Sequence, residues 1–264
     1  NVDGSFIPRS DRSNGEFSVL IDNSGVVHCF WSRYILFSND GAYSVDLTRA
    51  GIMYWNENMG NKAPIVVPGT EFFRENTKSP RFPFGRLNTE GNTIGYVGGN
   101  GSYRNNSTAW PSSGIDAAGT IYLSYAYNRG VIDTSQGNFG KNIDADLNGF
   151  NFYDIYVVKS ADGGQTWQGP LNVSSTSKLE NTYPSMARFV DDHVHLVYQE
   201  DDLVGNAVMT VTGGGNGTGS QAGPKITKNQ QIYAKIPVLD IVNPSTDITN
   251  PTLRLNNNYE NLEA

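Results

Sequence analysis

The sequence predicts an all-β protein of stacked antiparallel sheets, and three observations carry that expectation. First, a hairpin pattern recurs in register: SVLIDNSGVVHCFW (18–31), SSGIDAAGTIYLSY (112–125) and SMARFVDDHVHLVY (185–198). Each reads as a strand, a polar turn and a β-rich strand. Counted from the leading Ser, position +9 is Val27, Ile121 or Val194, position +10 is His28, Tyr122 or His195, and position +13 is Trp31, Tyr125 or Tyr198. Second, each hairpin is followed by another β-type run: GIMYW (51–55), DIYVV (154–158) and QIYAKIPV (231–238). Third, no long stripe of helical period appears, and Gly or Pro interrupts nearly every candidate helix.

In chain order these pieces form units near 16–67, 110–173 and 183–239. Sheets that cannot bury both faces alone are expected to stack radially, as the blades of a β-propeller. A Greek-key sandwich is the rival, but it leaves the in-register repetition unexplained. Three units fall short of the roughly four to eight blades of a closed ring. The chain is therefore read as partial, or as carrying divergent blades in the N-terminal segment and in 68–110. Residues 1–242 are assigned to blades. The tail, 243–264, with two prolines and many Asn residues, is expected to be a linker or extended arm.

Composition agrees with short strands and tight turns: of 264 residues, 38% are hydrophobic, only 17% are charged and 29 are Gly. A net charge of −7 argues against nonspecific attraction to nucleic acid or an anionic membrane. No apolar run is long enough to span a bilayer. Cys29 is the single cysteine, so no internal disulfide or thiolate cluster is available, and within VVHCFW it reads as a small core residue. The start at Asn1, without Met, fits a processed protein or a fragment. The low charge and Asn/Gly/Ser-rich loops lean towards an extracellular setting. Asn105, Asn106, Asn172 and Asn216 match the N-glycosylation pattern.

One motif is sharper. SADGGQTW (160–167) fits the pattern Ser-x-Asp-x-Gly-x-x-Trp through Ser160, Asp162, Gly164 and Trp167, with Thr166 and the following GPLNV strengthening the match. The chain thus resembles the Asp-box (bacterial neuraminidase repeat) proteins, sialidase-like β-propellers. Phrases such as YPSMARFVDDHVHLVYQ and GIMYWNENMG are similar to secreted Bacteroidota members of that group. The resemblance implies a box at the turn between the third and fourth strands of a blade, away from any ligand. Physically the box needs no substrate. Ser160 and Asp162 can bond turn amides, Gly163 and Gly164 allow positive φ, and Trp167 can fold over the turn.

A sialidase of this family would need three arginines around a substrate carboxylate, a Tyr activated by a Glu, and an Asp acid/base. Arg81 (in SPRFPFG), Arg104 and Arg188 are the arginine candidates, and Glu180 with Tyr183 is the Tyr–Glu candidate. The structural account of the last group is that Tyr183-Pro184 opens an innermost strand with Arg188 in or near it. Further carboxylates (Asp116, Asp133, Glu200, Asp201, Asp202) are too numerous to single one out. DADLNGFNFYD (144–154) is a calcium candidate through Asp144, Asp146, Asn148 and Asp154, set against a metal-free Asn/Asp-rich turn. His28, His193 and His195 show no usual zinc spacing on one face, and the shared repeat position of His28 and His195 points to packing. The expected function is a noncatalytic glycan- or protein-binding module of a larger surface assembly. The alternative is an exo-acting glycosidase of sialidase type.

Overall fold

The computed structural model describes the backbone of residues 9–39, 42–46, 49–70, 108–127, 152–174, 179–202 and 229–242, plus short strands elsewhere. Side chains are described over 15–33, 51–70, 108–127, 152–174, 179–202 and 229–242. The chain opens with β1 (Arg9–Ile21), β2 (Val27–Asn39), β3 (Ala42–Asp46), β4 (Arg49–Ala50), β5 (Ile52–Asn56) and β6 (Ile65–Val66). Short strands β7 (Phe72–Phe73), β8 (Gly85–Leu87) and β9 (Thr93–Tyr96) lead to β10 (Thr108–Asp116) and β11 (Ile121–Tyr127). There follow β12 (Ile132–Asp133), β13 (Lys141–Asn142), β14 (Asp154–Ser160) and β15 (Gln168–Asn172). The last group is β16 (Glu180–Met186), β17 (Phe189–Val190), β18 (His193–Asp201), β19 (Gln230–Pro237) and β20 (Arg254–Leu255). Among the described residues the only helical turns are two short 3-10 pieces, at Glu57–Met59 and Val238–Asp240.

Three principal sheets run in chain order: β1-β2-β5-β6, β10-β11-β14-β15 and β16-β18-β19-β20. Each is an up-and-down meander, the arrangement of a propeller blade. The fold is all-β, built on three blade-like sheets. Within the 243–264 segment, Arg254–Leu255 pairs with Tyr233 and Ala234.

The repeated Asp is explained by its turn. Asp22 Oδ1 accepts from Ser24 N and Val26 N, with Gly25 at φ 85°. Asp116 Oδ1 accepts from Thr120 N, with Gly119 at φ 87°. In the third hairpin Asp191 Oδ1 accepts from His193 N. A short acceptor closes each reversal, joined in the first two by a glycine at positive φ.

Two buried clusters lie between the blades. Leu20, Phe30, Ile52 and Tyr54 of the first sheet pack against Ile115, Leu123, Tyr125 and Val158 of the second. Tyr122, Ile155 and Val157 of the second pack against Met186, Leu196, Tyr198 and Ile236 of the third. Strand alternation sends one face of the middle blade to each neighbour, so its β11 is almost wholly buried.

The leading Ser of the repeat fastens blade to blade. Ser18 Oγ accepts from Ser113 N at 3.1 Å, and Ser112 Oγ accepts from Met186 N at 2.9 Å. Ser113 and Met186 occupy the same repeat position, one residue after the leading Ser. The innermost strands of successive blades thus meet through one repeated bond. Parallel pairing of Ile115 and Asp116 with Phe189 and Val190 adds to it.

The chain direction sorts the two ends of the stack. Hairpin turns at 22–26, 117–120 and 191–192 and the turn at 161–167 share one end. The links from β2 to β5, β11 to β14 and β18 to β19, and those between sheets, all leave from the other. The long connections therefore depart from one end, where function on such scaffolds concentrates.

Candidate binding site at the loop-bearing end

Each innermost strand is irregular two residues before its leading Ser. Trp110-Pro111 bulges opposite Tyr125 and Tyr183-Pro184 opposite Tyr198, where the register shifts between Ala109 and Ser112 and between Thr182 and Ser185. Pro cannot donate to a ladder, so an edge strand with a bulge is where it fits. Trp110 and Tyr183 both take φ 53°, the only positive-φ non-glycine residues among those described. In the first blade the shift lies between Ser13 and Phe17, and Gly15 takes φ 93°. Irregularities at the corresponding stretch of each innermost strand accompany the meeting of Glu16, Trp110 and Tyr183, each two residues before its leading Ser.

These residues meet. The rings of Trp110 and Tyr183 are 4.5 Å apart at 46°, and Trp110 also lies 5.4 Å from the ring of Tyr153. Glu16 Oε2 accepts from Trp110 N at 2.9 Å and from Ser32 Oγ at 2.8 Å, tying the first blade to the second. Glu180 Oε2 accepts from Tyr153 N at 2.9 Å, and Asn181 N donates to Tyr153 O, tying the second to the third. Tyr153 and Glu180 are buried, Trp110 is half-buried and Tyr183 is 40% exposed. Burial, then the nearby charges of Glu180 and Glu16, push the Tyr153 hydroxyl well above its ordinary pKa, so it stays neutral. The result is an aromatic pair, Trp110 and the exposed Tyr183, seated on the buried Tyr153 and held by the carboxylates of Glu16 and Glu180 at the loop-bearing end.

Among the sequence-derived candidates, Glu180 and Tyr183 belong to this cluster. Arg188 does not: its guanidinium donates to Ile21 O at 3.3 Å, at the hairpin-turn end. Arg81, Arg104, Asp144, Asp146 and Asn148 lie outside the described residues. Asp154 accepts from Ser174 Oγ at 2.6 Å and from Asn172 Nδ2 at 3.2 Å, bracing β14 against the chain leaving β15. Asn172 also reaches the Tyr156 hydroxyl. His193 and His195 prove to share a face, because alternate residues of β18 point the same way, and their rings are 6.3 Å apart. With Asp191 and Asp192 they form an exposed acidic–histidine group at the hairpin turn.

The 160–167 turn is a lock between blades. Asp162 Oδ1 accepts from Ser160 Oγ, Gln165 N and Thr166 N, and Oδ2 accepts from Thr166 Oγ1 at 2.6 Å. Ser160 Oγ accepts from the buried Gly164 N, and Trp167 Nε1 donates to Gly164 O. Trp167 sets its edge on Phe30 and Tyr54 of the first blade at 6.0 and 5.7 Å. Tyr54 and Asn56 donate to Gly163 O. The turn follows the third strand and precedes the fourth strand of its blade, at the end opposite the aromatic cluster.

Sequence reasoning misses Glu16, Trp110 and Tyr153. The repeated triplets WPS (110–112) and YPS (183–185) were the available signal for the first pair. Nothing local marks Tyr153, whose place depends on β14 lying between two blades.

The sequence matches no family model and no curated protein sequence. Among solved structures it is similar to a protein of unknown function from Dyadobacter fermentans, at 14% identity and TM-score 0.44, covering 86% of this chain and 55% of that one. It is also similar to an alpha-L-arabinanase of Penicillium chrysogenum complexed with arabinobiose, at 10% identity and TM-score 0.37, covering 91% of this chain and 66% of that one. The chain thus spans less than two thirds of either. The fold assignment rests on the sheets themselves.

Proposed function

We propose that the chain is a noncatalytic Asp-box propeller module of a secreted or cell-surface assembly, binding a glycan or a glycan-bearing protein at its loop-bearing end. The observation that carries this reading is the Trp110–Tyr183 pair, with Tyr183 40% exposed, where residues of three blades meet. Flat aromatic faces accept the apolar C–H faces of sugar rings. Both aromatic residues occupy left-handed backbone, so the surrounding structure holds them before a ligand arrives.

The second reading, an exo-glycosidase of sialidase type, is favoured by one observation: Tyr183 and Glu180 start the same inner strand. Of its three arginine candidates, Arg188 points to the opposite end, and Arg81 and Arg104 lie outside the described residues. Calcium, through Asp144, Asp146, Asn148 and Asp154, remains part of the proposal as a loop-ordering ion. Two assays test the set. A glycan array probed with the labelled chain should give saturable binding to a restricted group of sugars. A fluorogenic sialoside should show no turnover above buffer, with or without a chelator. Turnover abolished in Tyr183→Phe would instead establish the enzyme. A chelator that leaves both the melting temperature and array binding unchanged would remove calcium from the account.

A further inference from the structure

The three blades differ in what their forward faces carry. In the first blade, His28 at position +10 is hydrogen-bonded through Nδ1 to the Tyr54 hydroxyl, and the two rings stack at 5.9 Å and 15°. The other ring nitrogen meets the turn carboxylate Asp22 at 3.2 Å. The Tyr54 hydroxyl accepts from Asn56 Nδ2 and donates to Gly163 O of the second blade. This His–Tyr pair is the seat of the 160–167 turn. Fit is close: a Cβ on Gly164 would lie 2.3 Å from the Tyr54 ring.

In the second blade position +10 is Tyr122, which bonds Asp116, and the third-strand residue in register with Tyr54 is Val157. The blade that follows has no Asp-box. The third-blade 3-10 turn takes its place and accepts from Lys159 Nζ through Val238 O at 2.7 Å. Within this chain, a His–Tyr pair is met by an Asp-box turn, and a blade without the pair is met by another turn.

The third blade has the pair again. His195, at position +10, is bonded through Nδ1 to the Tyr233 hydroxyl, and the rings stack at 5.9 Å and 20°. Tyr233 is in register with Val197 as Tyr54 is with Phe30, both at position +12. Nε2 of His195 faces the turn carboxylate Asp191 at 3.4 Å. Here the surface is open. Val197 is 40% exposed where Phe30 is fully buried, and Ser185, the equivalent of the clasping Ser18 and Ser112, is exposed.

The geometry points to the forward face of the third blade (His195, Tyr233, Val197 and Ser185) as a docking surface for one further blade that carries an Asp-box turn. Its glycine-rich loop would offer a carbonyl to the Tyr233 hydroxyl and a tryptophan edge to Val197 and Tyr233. Its innermost strand would give an N–H to Ser185. A second copy of the chain does not meet this requirement with its own box, because Gly163, Gly164 and Trp167 are already seated on the first blade.

The test uses the intact chain and a synthetic peptide of residues 154–174, followed by the imidazole Cε1–H signals of the three histidines in NMR. Saturable movement of His195, with His28 unmoved, is the expected result. A Trp167→Ala peptide should fail to move it, and Tyr233→Phe in the chain should weaken binding by about tenfold, the worth of one hydrogen bond. Because a free hairpin can fold poorly, the same peptide is also joined to the C-terminus by a flexible linker, at an effective concentration of about a millimolar. The proposal is overturned if His195 stays unmoved in both formats, or if the Trp167→Ala peptide acts equally well. It also fails if sedimentation shows that the chain alone self-associates with His195 buried.

Discussion

Gly164 meets two demands at once: φ of 90° and a neighbouring Tyr54 ring that leaves no room for a side chain. Gly164→Ala is expected to destabilise the protein by about 2–5 kcal/mol, from strain and overpacking together, read as a lowered denaturation midpoint. Asp162 beside it sets a pH dependence. Partial desolvation raises its carboxyl, but hydrogen bonds from Thr166, Ser160 and Gln165 outweigh that and hold it below the ordinary carboxylate value. A lowered folded pKa gives stability that is present above the unfolded value of about 3.9 and is lost as pH falls through the folded one. The melting temperature should therefore drop below about pH 4 in the parent. Asp162→Asn should be less stable near neutrality and show a shallower acid loss. An equal acid slope in both proteins would remove Asp162 from this role. The box was legible in the sequence because its chemistry is local, with every partner of Asp162 inside five residues. Its seat on Phe30 and Tyr54 was not, because those contacts span more than a hundred residues and depend on how blades stack.

The hairpins behave as repeated parts with a repeated fastening. Ser112→Ala should strand the Met186 N–H at a blade interface and cost about 1–3 kcal/mol, while Ser112→Thr, which keeps the acceptor, should recover part of the loss. Chemical denaturation measures both, and equal stability of the two variants would contradict the clasp. The hairpin repeat gave away strand positions and the polar turns, since period-two patterning and Asp/Gly chemistry are visible along a single stretch. It also held the Ser. What it withheld was the meaning of that Ser, because an inter-blade bond has no signature within either strand. The bulges were hidden for a related reason. A Pro after an aromatic residue signals irregular backbone, but the left-handed turn of Trp110 and Tyr183 is fixed by neighbours across the sheet.

For the whole molecule, three consecutive meanders stacked through their innermost strands put turns at one end and long connections at the other. That arrangement brings Glu16, Trp110 and Tyr183 together from residues spread over most of the chain. Glu180 and Tyr183, expected from the sequence, form one corner of this cluster, and Arg188 lies outside it at the far end of the same strand region. Exposure also marks the ends of the stack. Phe17, Val19 and Ile21 are 70%, 50% and 48% exposed, whereas the equivalent Ile115 is 2% exposed against its neighbour. The most direct test of the account is array binding by Trp110→Ala and Tyr183→Ala beside the parent chain, with near-UV circular dichroism as a check on folding. Each variant should lose about tenfold or more in affinity, the scale of one aromatic contact, while keeping its fold. Parent-like binding by both folded variants would contradict it.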